Sequence, residues 1–108
     1  MAIPQLVGGL LPEGRYSTTM QEIEQQFVHD QQYAASSTRA PIWADWKRAV
    51  ALLRSAVMVH RAWVSGSFLT DKLDPNDIDA IFIINRADWA ARQQEDKQVV
   101  ESFINRQQ

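Results

Sequence analysis

The stretch that decides the fold is Trp63-Val64-Ser65-Gly66-Ser67-Phe68-Leu69-Thr70-Asp71-Lys72-Leu73-Asp74-Pro75-Asn76-Asp77-Ile78-Asp79, which passes into Ala80-Ile81-Phe82-Ile83-Ile84. Residues 61–65 are few, hold Trp63 and Val64, and stop at Gly66, a pattern that predicts a strand. Residues 77–84 alternate before giving way to Asn85-Arg86 and predict a second strand. Because strand side chains alternate between faces, this reading puts Asp77 and Asp79 on one face and Ile78, Ala80, Phe82 and Ile84 on the other.

Upstream, Ile42, Trp46, Ala49, Val50, Leu53 and Val57 recur at intervals of three and four, and Pro41 suits a first helical turn, so a helix is predicted over about 41–57. Its apolar stripe should pack on the Ile78, Ala80, Phe82 and Ile84 face. Thr19 stands three residues before Glu22 as in a capping box, and Met20, Ile23 and Phe27 follow at helical spacing, which predicts a shorter helix over about 19–29. Residues 1–16 carry Pro4, Gly8, Gly9, Pro12 and Gly14, too many breakers for a long element, and read as an arm. Downstream, Asp88 is a candidate N-cap, and Val99, Val100, Phe103 and Ile104 have helical spacing. The order helix, helix, strand, strand, helix predicts a small α+β domain over 17–108 with a short sheet against helices.

The whole chain is 108 residues long, with 45% hydrophobic and 22% charged residues, so an ordinary globular core is expected rather than a disordered or fibrous chain. Eleven Lys and Arg against thirteen Asp and Glu give a net charge of -2, which disfavours nucleic acid held by a basic field. The absence of cysteine excludes disulfides, zinc-thiolate sites and a thiol nucleophile, leaving oxygen donors for any metal. No apolar run approaches the roughly 20 residues of a membrane span, so no membrane partner is expected and the cytoplasm is the expected compartment.

The chemistry concentrates in the opening stretch. Two carboxylates roughly 6 to 7 Å apart along one strand face repel unless water screens them or a cation sits between them. Mg²⁺ suits that position, because it takes one or two carboxylates and keeps other positions for water and phosphate oxygens. Gly66, without a side chain, lets backbone amides approach a phosphate, and the Ser67 hydroxyl adds a donor. Thr70 and Lys72 would add a second hydroxyl and a positive charge. The remaining candidates read as structural. Trp43, Trp46, Trp63 and Trp89 are expected in the core, His29 and His60 as exposed or capping residues, Arg39, Arg61 and Arg86 as surface charges, and Asp71 and Asp74 as solvated loop acids.

Gly66-Ser67, nine further residues, then Asp77-Ile78-Asp79 and an apolar strand resemble the signature of the nucleotidyltransferase superfamily, the polymerase-beta-like fold. The fuller string from Gly66 to Asp79 is similar to the DUF6932-type group of bacterial and phage proteins. So are Leu11-Pro12-Glu13-Gly14-Arg15, the Thr19 to Phe27 helix and Ser37-Thr38-Arg39. The resemblance implies that Gly66 and Ser67 contact a nucleoside triphosphate, that Asp77 and Asp79 bind two Mg²⁺ ions, and that a nucleotidyl group moves to a hydroxyl of a protein, RNA or small molecule. The superfamily usually adds a third carboxylate on a later strand. Here the residues after Ile84 read as helix, so Asp88, Glu95, Asp96 and Glu101 do not occupy that position. That departure supports an alternative expectation, a catalytically degenerate relative serving as a regulatory module, such as an antitoxin or phage modulator, with a protein partner or a second copy of itself.

Overall fold

The computed structural model describes residues 3–106, with side chains through residue 101. Its helices are α1 (Met20–Phe27), α2 (Arg39–Ala56), α3 (Arg86–Ala91) and α4 (Gln94–Arg106). Strands β1 (Val59–Ser65) and β2 (Asp79–Ile84) pair as a two-stranded antiparallel sheet, and short 3-10 turns cover Gln31–Tyr33 and Ser67–Leu69. The architecture is a small α+β one, as the sequence predicts. No helix among the described residues is long and apolar enough to cross a membrane.

The chain forms two compact units. One comprises Met1–Ala44 with Ser65–Ile78, and the other Asp45–Val64 with Asp79–Gln108. In the first unit, residues 7–10 form a minimal hairpin in which Val7 and Leu10 exchange two backbone hydrogen bonds across Gly8 and Gly9. Their φ values of 62° and 82° are the left-handed values that such a two-residue turn requires at both central positions. The Thr19 hydroxyl accepts from the Glu22 amide and the Glu22 carboxylate accepts from the Thr19 amide, so α1 begins with the capping box read from the sequence. Ile23 and Phe27, one turn apart, are buried. α2 begins two residues before the predicted Pro41, because the Ser36 hydroxyl accepts from the Arg39 amide and the Thr38 carbonyl accepts from the Ile42 amide. Pro41 is the third helical residue, where an amide has no intrahelical acceptor anyway. Trp43 on this first stretch of α2 stacks on Phe68 at 6.0 Å and donates its indole N–H to Glu24.

In the second unit, Ala49, Leu53, Ala56, Val57 and Val100 form the buried cluster, with Val59, Phe82, Ile84, Trp89 and Val99 packed against it. Trp46 stacks on Phe82 at 5.5 Å. The helix therefore packs on the Phe82 and Ile84 side of β2, as predicted, but Ile78, expected on the same face, precedes the strand and is buried in the first unit. Alternation leaves Asp79, Ile81 and Ile83 on the opposite, exposed side. Two expectations need correction. β1 starts at Val59 rather than 61, which puts His60 within the strand. Trp63, expected in the core, is 39% exposed. The Asn85 side chain caps α3 by accepting from the Asp88 amide, and the Asp88 carboxylate accepts from the Met58 amide, so Asp88 ties α3 to the lead-in of β1 instead of capping a helix itself. Val99 and Val100 lie on α4 as expected, whereas the Phe103 and Ile104 side chains lie outside the described residues.

Candidate functional site

Gly66 ends β1 with φ 98°, a left-handed value that a residue with a Cβ adopts only under strain, and this bend turns the chain into the Ser67–Leu69 turn. The turn closes on itself, the Leu69 amide donating to the Gly66 carbonyl and the Thr70 amide to the Ser67 carbonyl. Beyond it, the Asp71 amide donates to the Gly9 carbonyl of the hairpin, and the Lys72 amide to the Thr70 hydroxyl. The amides of Ser67 and Phe68 and the Ser67 hydroxyl enter none of these bonds; Phe68 is fully buried, so the accessible free donors of the turn are the amide and hydroxyl of the half-buried Ser67.

Thr70 has a different role from the one predicted. Its hydroxyl proton goes to the Ser67 carbonyl at 2.6 Å while its oxygen accepts from the Lys72 amide, so the side chain braces the loop and has no proton left for a ligand. Lys72 is exposed; its carbonyl is held from inside the unit, and its ammonium stands on the surface.

What holds the loop is Arg39, which was expected on the surface and is 1% exposed. Its guanidinium donates to the carbonyls of Phe27, Phe68, Thr70 and Lys72, at 2.9, 2.7, 2.9 and 2.6 Å. It also lies over the Tyr33 ring at 3.8 Å and the Phe68 ring at 4.9 Å. Burial draws its pKa down, and the Tyr33 and Asp74 charges partly offset that effect. Tyr33 adds a second tether, its hydroxyl donating to the Thr70 carbonyl at 2.7 Å, and burial pushes its own pKa up. Asp74 is exposed as expected but not merely solvated. Its carboxylate accepts from the Ser37 amide and from the Ser36 and Ser37 hydroxyls, and these bonds, the Ser37 amide foremost, hold its pKa below the usual carboxylate range.

The two carboxylates are set differently from the prediction. Asp79 opens β2 on its exposed side, but Asp77 precedes the strand in irregular backbone, so alternation does not make them strand neighbours. The reason is that strand pairing begins only at Asp79, after buried Pro75 and Ile78 anchor the connecting segment in the first unit. Covalent connection alone keeps residues two apart within about 7 Å at Cα. Both carboxylates are exposed, and neither bonds to another described residue. As donors they fit Mg²⁺, which takes one or two exposed carboxylates and fills the rest of its octahedron with water and phosphate oxygen. Among the described residues no group of three or more His, Asp or Glu forms a metal-binding cluster. Asp88, Glu95, Asp96 and Glu101 lie on α3 and α4.

His29 pairs with Glu24 at 2.7 Å past the end of α1, away from the Gly66 turn in sequence and in its bonding. A groove of about 680 Å³ between the arm and α1 is lined by Ile3, Leu6 and glutamines including Gln21, Gln25 and Gln26, and by none of the six predicted site residues.

A family model matches residues 5–108, nearly the whole chain. The chain belongs to DUF6932. That is a family of unknown function, so membership assigns the chain no reaction. No curated protein matches the chain. No solved structure matches it either.

Proposed function

We propose that this DUF6932 protein is a nucleotidyltransferase-like protein that binds a nucleoside triphosphate with Mg²⁺ and transfers its nucleotidyl group to a hydroxyl of a protein, RNA or small molecule. The observation that carries the reading is the Gly66 turn. A left-handed glycine directly after β1 leaves the amide and hydroxyl of the half-buried Ser67 unused, and two exposed carboxylates, Asp77 and Asp79, follow on the way into β2. The Ser67 amide and hydroxyl bind the phosphates, Lys72 neutralises charge, and Asp77 and Asp79 hold the cation. Bound Mg²⁺ would supply charge neutralisation for the phosphates. In the transfer, the acceptor oxygen bonds to the α-phosphorus, the bond to the bridging oxygen breaks, pyrophosphate leaves, and the hydroxyl proton passes to solvent.

Calorimetric titration with each of the four Mg-NTPs tests this. Binding that needs Mg²⁺ and is lost in Asp77→Asn and Asp79→Asn is the expected result, and no heat with any nucleotide at millimolar concentration refutes it. A second reading, a regulatory module without turnover, is favoured by the exposed side of β2, where Ile81 is 66% exposed and Ile83 follows it. Retained NTP silence together with a protein partner lost in Ile81→Glu would support that reading.

A further inference from the structure

We propose that Arg39 is the buried positive charge that makes the 66–72 loop attract polyphosphate, acting through the loop as a positioning residue without touching the ligand; this deepens, and rests on, the nucleotide reading above. A buried ion is ordinarily matched by a counter-ion. Arg39 is instead surrounded by neutral groups, namely four backbone carbonyls and two aromatic rings, and the acid that acts on it, Asp74, is exposed and occupied by Ser36 and Ser37. Its charge is therefore solvated but not cancelled. In surroundings of low dielectric such a charge is screened less than one on the surface.

The loop is arranged to transmit that charge. Three of the four acceptors, the carbonyls of Phe68, Thr70 and Lys72, belong to alternate residues of the loop and turn inward onto the guanidinium. The Gly66 and Ser67 carbonyls are taken by the Leu69 and Thr70 amides. The backbone oxygens that would repel an anion are thus withdrawn at five positions, while the amide of the partly exposed Ser67 remains. The sequence offers the same clue: an arginine in the first turn of a helix opposes the helix dipole, so its position there calls for another reason.

The test uses the full chain and two probes, inorganic tripolyphosphate and Mg-ATP, titrated over a range of salt into wild type, Arg39→Met and Arg39→Lys, with circular dichroism to check folding. Arg39→Met should bind both probes at least tenfold more weakly, and its slope of log affinity against log salt should fall by up to about one. Arg39→Lys, which keeps a positive charge but has three donors for four carbonyls and no planar fork, should lose less affinity than Arg39→Met and keep the wild-type slope. Arg39→Met binding like wild type overturns the inference, as does equal weakening of both variants with no change of slope, because the residue would then act by structure alone. If Arg39→Met does not fold, Arg39→Lys decides: a wild-type slope of log affinity against log salt supports the inference, and a slope lowered by about one overturns it. Wild type that binds neither probe overturns both this inference and the nucleotide reading. Tripolyphosphate binding without Mg-ATP binding, sensitive to Arg39→Met, upholds the anion loop and removes the nucleotide.

Discussion

Truncating Leu53 to Ala is the sharpest test of the second unit. Leu53 is 2% exposed, within the cluster of Ala49, Ala56, Val57 and Val100. At roughly 0.8 kcal/mol per buried methylene, removing three carbons forfeits about 2.4 kcal/mol of transfer free energy. The void adds to that. Ala49 and Ala56, four residues before and three after on the same face of α2, carry only methyl groups and cannot swing in to fill it. The loss should therefore fall in the upper part of the usual range of about 2 to 5 kcal/mol, near 3 to 4. At about 4 to 8 °C per kcal/mol for a domain of this size, Tm should drop on the order of 12 to 30 °C. Leu52 provides the control, since it is adjacent in sequence but 47% exposed, and Leu52→Ala should stay within about 0.5 kcal/mol of wild type. Urea and thermal unfolding followed by circular dichroism measure both variants side by side. Equal effects of the two substitutions, or a Leu53→Ala loss below about 1 kcal/mol, would refute the assignment of the buried face of α2.

Thr19→Ala removes the acceptor of the Glu22 amide and should lower stability by about 0.5 to 2 kcal/mol, while Thr19→Ser should largely restore it, both read from urea midpoints. Gly9→Ala should destabilise more than Gly8→Ala, although both glycines have positive φ, because a Cβ at Gly9 would lie 2.6 Å from the Asp71 carboxylate and one at Gly8 meets open space. Equal unfolding midpoints for the two variants would contradict the docking of the hairpin on Asp71. The Asp88 carboxylate is held below its ordinary pKa, first by the Met58 amide and then by Arg92. Its folded pKa is depressed, so its contribution to stability is complete above the unfolded value of about 3.9 and disappears as pH falls through the folded value. Asp88→Asn should flatten the acid side of a plot of Tm against pH, and an unchanged acid limb would count against the bond to Met58.

The elements that were legible in the sequence are those whose signals are local. The Thr19 and Glu22 capping box lies within one turn, and the apolar spacing of Trp46, Ala49, Val50, Leu53 and Val57 is a property of one helix face, so both were readable without tertiary knowledge. The alternation of Ala80, Phe82 and Ile84 likewise gave the buried side of β2. Asp77 was misread because alternation says nothing about where a strand begins; that depends on where β1 offers a partner, and pairing starts two residues later. Trp63 was misread for a related reason, since a large aromatic side chain has a tendency to be buried but a two-stranded sheet has few neighbours with which to cover it. Arg39 was invisible to composition because its four acceptors are backbone carbonyls from residues 12 to 33 positions away, which no side-chain pattern records.

The 66–72 loop, which Arg39 holds, offers fewer contacts when folded than its sequence does. Read as a string, Gly66, Ser67, Thr70 and Lys72 offer four independent contacts to a triphosphate. In the folded chain the Thr70 proton is committed to the Ser67 carbonyl, and the amides of Leu69, Thr70, Asp71 and Lys72 all have internal acceptors. On the proposed function, phosphate recognition by this loop falls on the Ser67 hydroxyl and amide and the Lys72 ammonium, because Phe68 is fully buried. The consequence separates two residues of the same string that look equivalent. Ser67→Ala removes a ligand donor and should weaken Mg-NTP binding with little effect on unfolding. Thr70→Val removes the brace and strands the Ser67 oxygen and the Lys72 amide, so it should lower stability by about 1 to 3 kcal/mol and affect binding only through the shape of the loop. The opposite pattern, a stable Thr70→Val that fails to bind and a destabilised Ser67→Ala, would show that the string describes the site better than the hydrogen bonds do.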